Sequence, residues 1–200
     1  MDPDGDCKFT PDKTALIIEA PGKKEHGPAV AAGVMNYPRL LRDVEGDFTM
    51  EVRVGGEFRP AAPGSIPGES PGVQAGLVVS AGDHAYARLE RTAQANPSTV
   101  SHQVKCEMMG ERNLGSGAGI GDSPTTYLRL RRGGDRIFAS FSQDGVRWAN
   151  MPGQDMKMPA KMKVGLWFNS TSAARFKASF DDFRLTGDGV KPAPDAQPAK

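Results

Sequence analysis

The sequence predicts an all-β fold, a sandwich or barrel of about ten to twelve antiparallel strands. Three observations support this prediction. Apolar and polar residues alternate in many short segments, which is the period of a strand with one buried face. The 200 residues include 24 glycines and 16 prolines, enough for many turns. No window of the sequence has the apolar spacing of an amphipathic helix longer than a turn or two.

The alternating segments follow one another along most of the chain. In chain order they are 14–20, 47–54, 73–80, 86–91, 100–108, 127–131, 135–142, 163–169 and 175–180. Between them, Gly133-Gly134 and Asp144-Gly145 predict two-residue hairpin turns, the second of type I′. The glycine-rich stretches 59–72 and 115–124 predict irregular loops.

Charge and composition exclude several classes of function. The formal net charge is +1, so we expect no general attraction to nucleic acid or to an anionic membrane. No apolar run approaches the ~20 residues of a membrane-spanning helix, and the N-terminal residues lack the features of a secretion signal. The sequence does not determine the cellular compartment, because Cys7 and Cys106 are compatible both with a disulfide and with two buried thiols.

The chain divides into a domain and a tail. Residues 1–186 carry the strand pattern and form one domain. Residues 187–200, rich in proline and alanine, show no apolar periodicity and predict a disordered tail or linker. We therefore expect the domain to be tethered to other domains of a larger protein.

Four stretches in this order resemble one known family. They are EGDFTMEVRV, AGLVVSAGDHAYARLER, YLRLRRGGDRIFASFSQDGVRW and MKVGLWFNSTSAARFKASFDDFRL. The succession resembles the "regulation of enolase" domain family of the concanavalin A-like lectin/glucanase superfamily. The resemblance covers residues 2–186 and implies a two-sheet antiparallel jelly-roll sandwich. The superfamily includes lectins, glycanases and carbohydrate-binding appendages, whereas the family itself implies no settled activity.

Outward-facing polar residues around one tryptophan predict a glycan-binding surface. Trp167 alternates with Leu166 and Phe168, so it should lie on the face away from the core. An exposed indole there would stack on a sugar ring. The side chains expected to bind the sugar hydroxyls are Arg88, Glu90, Glu107, Arg129, Arg131 and Asn169. The open alternative is ordinary Arg–Glu pairing on a solvated face, with Trp167 covered by a loop.

The sequence therefore favours a non-catalytic, carbohydrate-binding accessory module. One alternative is a glycoside-active enzyme that uses carboxylates from separate strands, such as Glu90 and Glu107. Glycanases of the superfamily carry E-x-D-x-(x)-E on one strand, but here the spacing puts Asp47 and Glu51 ~13 Å apart. Paired glycosidase carboxyls are no more than ~9.5 Å apart, which argues against that motif. The other alternative is a protein-interaction or structural module.

Five aspartates near the two ends of the domain predict a structural calcium ion. They are Asp2, Asp4, Asp6, Asp181 and Asp182. The first and last strands of a jelly roll often lie side by side, which would bring these hard oxygen ligands together. The resemblance adds that superfamily members often hold a structural calcium at a sheet margin. The burial pattern also changes phase between Phe180 and Phe183, which predicts a β-bulge. The alternative is a solvated acidic start together with a bulge.

Overall fold

Every regular element in the described part of the chain is a β-strand. The computed structural model describes residues 1–22, 24–29, 34–61, 64, 70–82, 85–96, 99–110 and 113–190. Its strands are β1 (Lys8–Asp12), β2 (Ala15–Ala20), β3 (Pro28–Ala29), β4 (Val34–Met35), β5 (Arg39–Glu45), β6 (Phe48–Gly56), β7 (Gly72–Gly82), β8 (Ala85–Ala95), β9 (Val100–Met109), β10 (Leu114–Gly119), β11 (Thr125–Gly133), β12 (Arg136–Ser142), β13 (Ala149–Asn150), β14 (Gln154–Asp155), β15 (Lys161–Ser170) and β16 (Phe176–Thr186). Within these ranges no helix is long and apolar enough to cross a membrane. The all-β prediction is confirmed.

The strands form two sheets and one short separate pair. The eight-stranded sheet has the order β1-β2-β16-β6-β11-β12-β13, and β14 also pairs with β12. The six-stranded sheet has the order β10-β9-β8-β7-β15-β5, and β3 pairs with β4. All of these pairings are antiparallel. The predicted two-sheet antiparallel sandwich is therefore confirmed.

The core lies between the two sheets and follows the alternation of the sequence. In β6 the inward side chains are Phe48, Met50, Val52 and Val54. In β15 the inward side chains are Met162, Val164, Leu166 and Phe168. Each large apolar side chain buried in this way contributes about 1.5–3 kcal/mol. Three more methionines, at positions 151, 156 and 158, pack into the same core, where flexible thioethers fill irregular gaps.

One stretch expected to be a loop is a strand. Residues 114–119 form β10, which pairs with β9 along its whole length. The glycines of this stretch suggested a loop because they weaken strands. As an edge strand, however, β10 has a single neighbour, and its backbone can pair while it carries few side chains. The remaining residues of the stretch expected as a loop, 120–124, are not in a strand.

The two hairpin turns differ in detail from their predictions. The turn between β11 and β12 lies at Gly134 and Asp135, one residue later than expected, because Gly133 pairs with Arg136. The predicted Asp144-Gly145 turn is part of a longer loop over residues 143–148. A type I′ turn needs two residues with positive φ, and here only Gly145 has one, at 74°.

Side-chain hydrogen bonds organise this longer loop. The Asp144 carboxylate accepts hydrogen bonds from the backbone N–H groups of Val146 and Arg147, at 2.9 and 2.8 Å. The Ser142 hydroxyl accepts one from the N–H of Gly145, at 2.9 Å. The two backbone donors hold the pKa of Asp144 well below its usual range. The loop is therefore closed by its own polar side chains.

The predicted β-bulge is present in β16. The register between β16 and β6 shifts between Asp181 and Arg184, and Asp182 has a left-handed φ of 53°. After β16, residues 187–190 continue along the domain, where Val190 packs against the core. The rest of the predicted tail, 191–200, lies outside the described residues.

Candidate functional site

Polar side chains gather on the surface of the six-stranded sheet that points away from the core. We call this surface the outer face, and it comprises Gln74, Arg88, Glu90, Thr92, Lys105, Glu107, Trp167 and Asn169. Strand register brings these residues together: Glu90 lies opposite Lys105, and Arg88 lies opposite Glu107. The Arg88 guanidinium donates a hydrogen bond to the Glu107 carboxylate. Five predicted ligand-binding residues thus share one surface.

Trp167 lies on the outer face, as alternation predicts, but its ring is 0 % exposed. Tyr37 packs edge-on against it, with ring centroids 5.7 Å apart. The guanidinium of Arg88 lies over the ring, 4.5 Å from its centroid. The expectation of an exposed indole is wrong, because residues preceding β5 fold back over the ring. The alternative of a tryptophan covered by a loop describes the structure.

Glu90 is the most unusual residue of the outer face. Its side chain is fully buried, and neither carboxylate oxygen has a hydrogen-bond partner among the described residues. Burial raises the pKa of Glu90 to about 8, although the Arg88 guanidinium opposes the shift. A large fraction of Glu90 is therefore protonated at neutral pH, and in that form the group can both donate and accept a hydrogen bond.

Gly76 allows β7 to pair closely with β8 beside Glu90. It lies between Glu90 and Trp167 in one row across the sheet. A Cβ atom at this position would lie 2.1 Å from the carbonyl oxygen of Leu89, so this close pairing requires glycine.

A cavity of about 270 Å³ opens on the same surface. Its lining includes Gln74, Arg88, Thr92, Gln94, Lys105 and Asn169. Arg88 and Thr92 flank Glu90 along β8 and Lys105 is its cross-strand neighbour, but Glu90 itself is fully buried and does not line the cavity. The volume is just below the ~300–1,000 Å³ of pockets for drug-sized ligands, which suits a single small ring.

Unpaired polar atoms line this cavity. The Asn169 amide donates to the side-chain oxygen of Gln74 at 2.6 Å, which leaves its own oxygen without a partner in the described residues. The Nε and Nη1 atoms of Arg88 are likewise buried without an acceptor there. Buried polar atoms are nearly always hydrogen-bonded, so this concentration of unpaired donors and acceptors indicates a site for a polar ligand.

Arg129 and Arg131 do not belong to this site. Both lie on β11 of the eight-stranded sheet, on the opposite side of the core. Arg129 binds Glu51 through its Nε atom at 2.6 Å and lies 3.7 Å from the centre of the Trp148 ring. The expectation that these two arginines share a ligand with Trp167 is wrong, because alternation shows which face a side chain takes but not which sheet its strand joins.

Several residues of the site were not predicted from the sequence, among them Tyr37 and Gln74. Tyr37 precedes β5, a strand that the alternation did not predict, and Gln74 lies in a strand of otherwise apolar and small residues. A polar side chain at position 74 in the run VQAGLVV was the one signal available for Gln74. No local pattern indicates that Tyr37 covers Trp167.

Three larger cavities lie elsewhere in the described part of the domain. One of about 550 Å³ is bordered by Met108, Arg136 and Met156. The others, of about 450 and 360 Å³, are bordered by Trp148 and the bulge in β16 and by Met162 and neighbouring residues. The lining of the outer-face cavity has three buried unpaired polar atoms, on Arg88 and Asn169, and no other of these cavities has more than one. The outer face therefore remains the candidate site.

The five aspartates predicted to bind calcium do not converge. At one end of β2, Glu19 pairs with Lys8 of β1 and with Lys177 of β16. At the other end, Ala15 pairs with Asp12 of β1 and with Asp181 of β16. Asp6 and Asp181 are thus separated by about six residues along the strands, or ~20 Å. The expectation of one joint site is wrong, because the two acidic groups lie at opposite ends of neighbouring strands.

The aspartates have separate partners instead. Asp181 and Asp182 face Arg53 at 3.5 and 3.6 Å. Asp4 contacts Lys24 at 3.1 Å. Asp2 accepts a hydrogen bond from the backbone of Cys7, and Asp6 contacts His26.

A different group of possible metal ligands lies near the N-terminus. Asp6, Cys7 and His26 offer ligand atoms that all lie within 4.8 Å of one another. Cys7 and Cys106 are both free thiols, and Cys106 is buried in the core. The disulfide considered from the sequence is therefore absent.

Several solved structures have folds similar to that of this domain. A functionally unknown protein from Saccharomyces cerevisiae aligns with a TM-score of 0.71 and 17% identity, over 90% of this chain and 91% of that one. A xylan β-1,4-xylosidase from Bacillus halodurans aligns with a TM-score of 0.61 and 14% identity, over 90% of this chain and 38% of that one. The CBM2 module of an evolved Dit protein from a Lactobacillus casei phage aligns with a TM-score of 0.57 and 9% identity, over 93% of this chain and 81% of that one.

These similarities show the fold. They support the predicted jelly-roll sandwich. The predicted membership of the "regulation of enolase" family is not confirmed. No family model matches the sequence, and no curated protein matches it. The chain spans a little over a third of the length of the xylosidase.

Proposed function

We propose that this domain is a non-catalytic carbohydrate-binding module whose sugar ligand occupies the cavity on the outer face. The observation that carries the proposal is the set of unpaired polar atoms on two residues that line the cavity, the Nε and Nη1 donors of Arg88 and the Oδ1 acceptor of Asn169. Sugar hydroxyls both donate and accept hydrogen bonds, so they complement such groups. The similarity to a CBM2 module supports this choice of ligand.

The unpaired atoms suggest how a sugar ring would be held. Sugar hydroxyls would donate to the Asn169 oxygen and would accept from the free N–H groups of Arg88. Trp167 would act indirectly, because its ring stacks on Arg88 and fixes the direction of that guanidinium. The tryptophan would therefore be a positioning residue rather than the stacking surface expected from the sequence.

The proposal also makes this domain part of a larger protein. The similar xylosidase is aligned over 38% of its length, so a domain of this fold forms a minor part of that enzyme. A binding module with one small cavity fits such an accessory role.

The test compares variants that alter the rim of the cavity with one that alters the other sheet. The wild-type protein is first screened on a glycan array, and its affinity for the best glycan is measured by calorimetry. We expect Gln74→Ala and Lys105→Ala to weaken binding about tenfold or more, or about 1.4 kcal/mol, because each removes a hydrogen-bonding group from the cavity. Both side chains are only partly buried, so the melting temperature should stay unchanged.

Arg131→Ala is the matched control, because it removes an exposed charge on the eight-stranded sheet. Its affinity should equal that of the wild type. The proposal would be abandoned if the folded protein bound no glycan, which would favour a protein-interaction or structural module. Equal affinities in all four proteins would place the ligand elsewhere.

A glycoside-active enzyme is a second candidate, and one observation favours it. Glu90 and Glu107 are diagonal neighbours on β8 and β9, so their backbone positions lie ~7–8 Å apart, and the paired carboxyl groups of inverting glycosidases lie ~6.5–9.5 Å apart. The raised pKa of Glu90 would suit a general acid, and Glu107 accepts a hydrogen bond from Arg88. Full burial of Glu90 argues against catalysis, because a substrate must reach the acid. Release of new reducing ends from the bound glycan, lost in Glu90→Gln, would establish the enzyme instead.

A further inference from the structure

We propose that Asp6, Cys7 and His26 bind one divalent transition-metal ion of the zinc type. Each residue offers one ligand atom, and the three atoms lie within 4.8 Å of one another. Carboxylate, thiolate and imidazole are the three ligand types that zinc accepts in proteins. A thiolate with an imidazole favours zinc over calcium, which requires hard oxygen ligands. The site is independent of the proposed glycan cavity and differs in residues and in metal from the calcium site expected from the sequence.

The distances fit a tetrahedral centre with little movement. Bonds of ~2.3 Å to sulfur and ~2.0 Å to nitrogen or oxygen place tetrahedral ligands ~3.3–3.5 Å apart. The Cys7 sulfur lies 3.8 Å from Oδ1 of Asp6, and Nε2 of His26 lies 2.8 Å from the same oxygen. The imidazole and carboxylate would need to separate by ~0.5 Å, and the ion would replace the proton that they share.

Contacts outside the cluster already hold the ligands in position. The Asp2 carboxylate accepts a hydrogen bond from the backbone N–H of Cys7 at 2.7 Å and so closes the turn before β1. His26 exchanges two backbone hydrogen bonds with Ser170 at the end of β15, at 3.0 and 3.1 Å. The metal would therefore join the start of the eight-stranded sheet to the end of a strand in the six-stranded sheet.

The charge around Cys7 favours a cation. The Asp2 carboxylate accepts a hydrogen bond from the Cys7 backbone, and Oδ1 of Asp6 lies 3.8 Å from the Cys7 sulfur. Zinc binds cysteine as the thiolate, so binding would release the Cys7 proton to solvent. One divalent ion with two anionic ligands is neutral overall, which suits the fully buried His26.

The affinity should be moderate. Histidine ligands usually donate their second ring nitrogen to a carboxylate or carbonyl group, and such support is worth ~10–100-fold in affinity. Here Nδ1 of His26 has no hydrogen-bond partner within the described ranges. We therefore expect weaker binding than in closed zinc sites with four protein ligands.

The experiment titrates Co²⁺, a spectroscopic substitute for zinc, into the reduced, full-length protein. We expect one equivalent to bind and to produce the near-ultraviolet absorption of a thiolate–cobalt bond, which added zinc should abolish. Cys7→Ser should lose the absorption. Cys106→Ser is the matched control and should keep it, because that thiol lies in the core. Asp6→Asn, which keeps the size of the side chain, should bind about tenfold more weakly.

Circular dichroism checks the folding of each variant. If Cys7→Ser does not fold, the cobalt affinity of Asp6→Asn provides the test. Three results would overturn the proposal. They are a wild-type protein without thiolate–cobalt absorption at saturating cobalt, the same absorption in Cys7→Ser, and a melting temperature raised by calcium but not by zinc.

Discussion

Trp167→Ala is expected to destabilise the domain by about 3–5 kcal/mol, the cost of removing a large buried aromatic side chain. The ring is fully buried and packs against Tyr37, Val78 and Leu41 on the side of the six-stranded sheet away from the main core. Its loss would open a cavity and would also remove the surface on which Arg88 stacks. Urea unfolding followed by far-ultraviolet circular dichroism measures the change without depending on tryptophan fluorescence.

Trp148→Ala is the control for the Trp167 variant. Trp148 is only partly buried and stacks on Arg129, a contact worth about 0.5–1 kcal/mol at exposed sites. We expect its unfolding midpoint to stay near that of the wild type. A Trp167→Ala midpoint equal to that of Trp148→Ala would show that the indole at position 167 is not buried. A loss of glycan binding in Trp167→Ala would not by itself identify a ligand contact, because the fold also weakens.

Glu90→Gln is expected to stabilise the domain at alkaline pH and to remove much of its pH dependence. The folded pKa of Glu90, about 8, lies above its ordinary value of 4.5, so the folded state holds a proton that the unfolded state releases between these values. Stability is therefore unaffected below about pH 4.5, falls as the pH rises towards 8, and then remains low, since the folded state carries a buried charge.

The variant should gain on the order of 5 kcal/mol over the wild type at pH 9 and little at pH 4.5, because glutamine does not titrate. Arg88 and Lys105 oppose the shift and Glu107 adds to it, so all three remain unchanged in this comparison. Urea unfolding at several pH values gives the difference. Glu51→Gln is the matched control, since Glu51 is less buried and is paired with Arg129. Parallel stability curves for Glu90→Gln and wild type would contradict the burial of an unpaired carboxyl group.

The architecture could be predicted because strand patterning is local. The apolar residues at every second position of β6 and β15 form one face of each strand, and only a sandwich or barrel buries such faces. The same alternation placed Trp167 on the side away from the core, and the phase change at Asp181 predicted the bulge. The edge strand β10 was missed because its glycines carry no side chains from which a pattern can be read.

The candidate site was only partly predictable, because it depends on which strands become neighbours. Arg88 and Arg129 show the same alternation in sequence, yet strand order puts them on opposite surfaces. Register likewise separates Asp6 from Asp181, two residues that the sequence suggested would meet.

The sequence by itself determined that this chain forms short strands with one apolar face each, and on which face of its strand Trp167 lies. The tertiary structure decided what surrounds those side chains: Tyr37 covers Trp167, Glu90 is buried without a hydrogen-bond partner among the described residues, and Cys7 lies close to His26. The physical reason is the distance along the chain over which each effect acts. Side-chain alternation is set by the backbone within a few residues, whereas burial and partners are set by pairings between strands far apart in the chain.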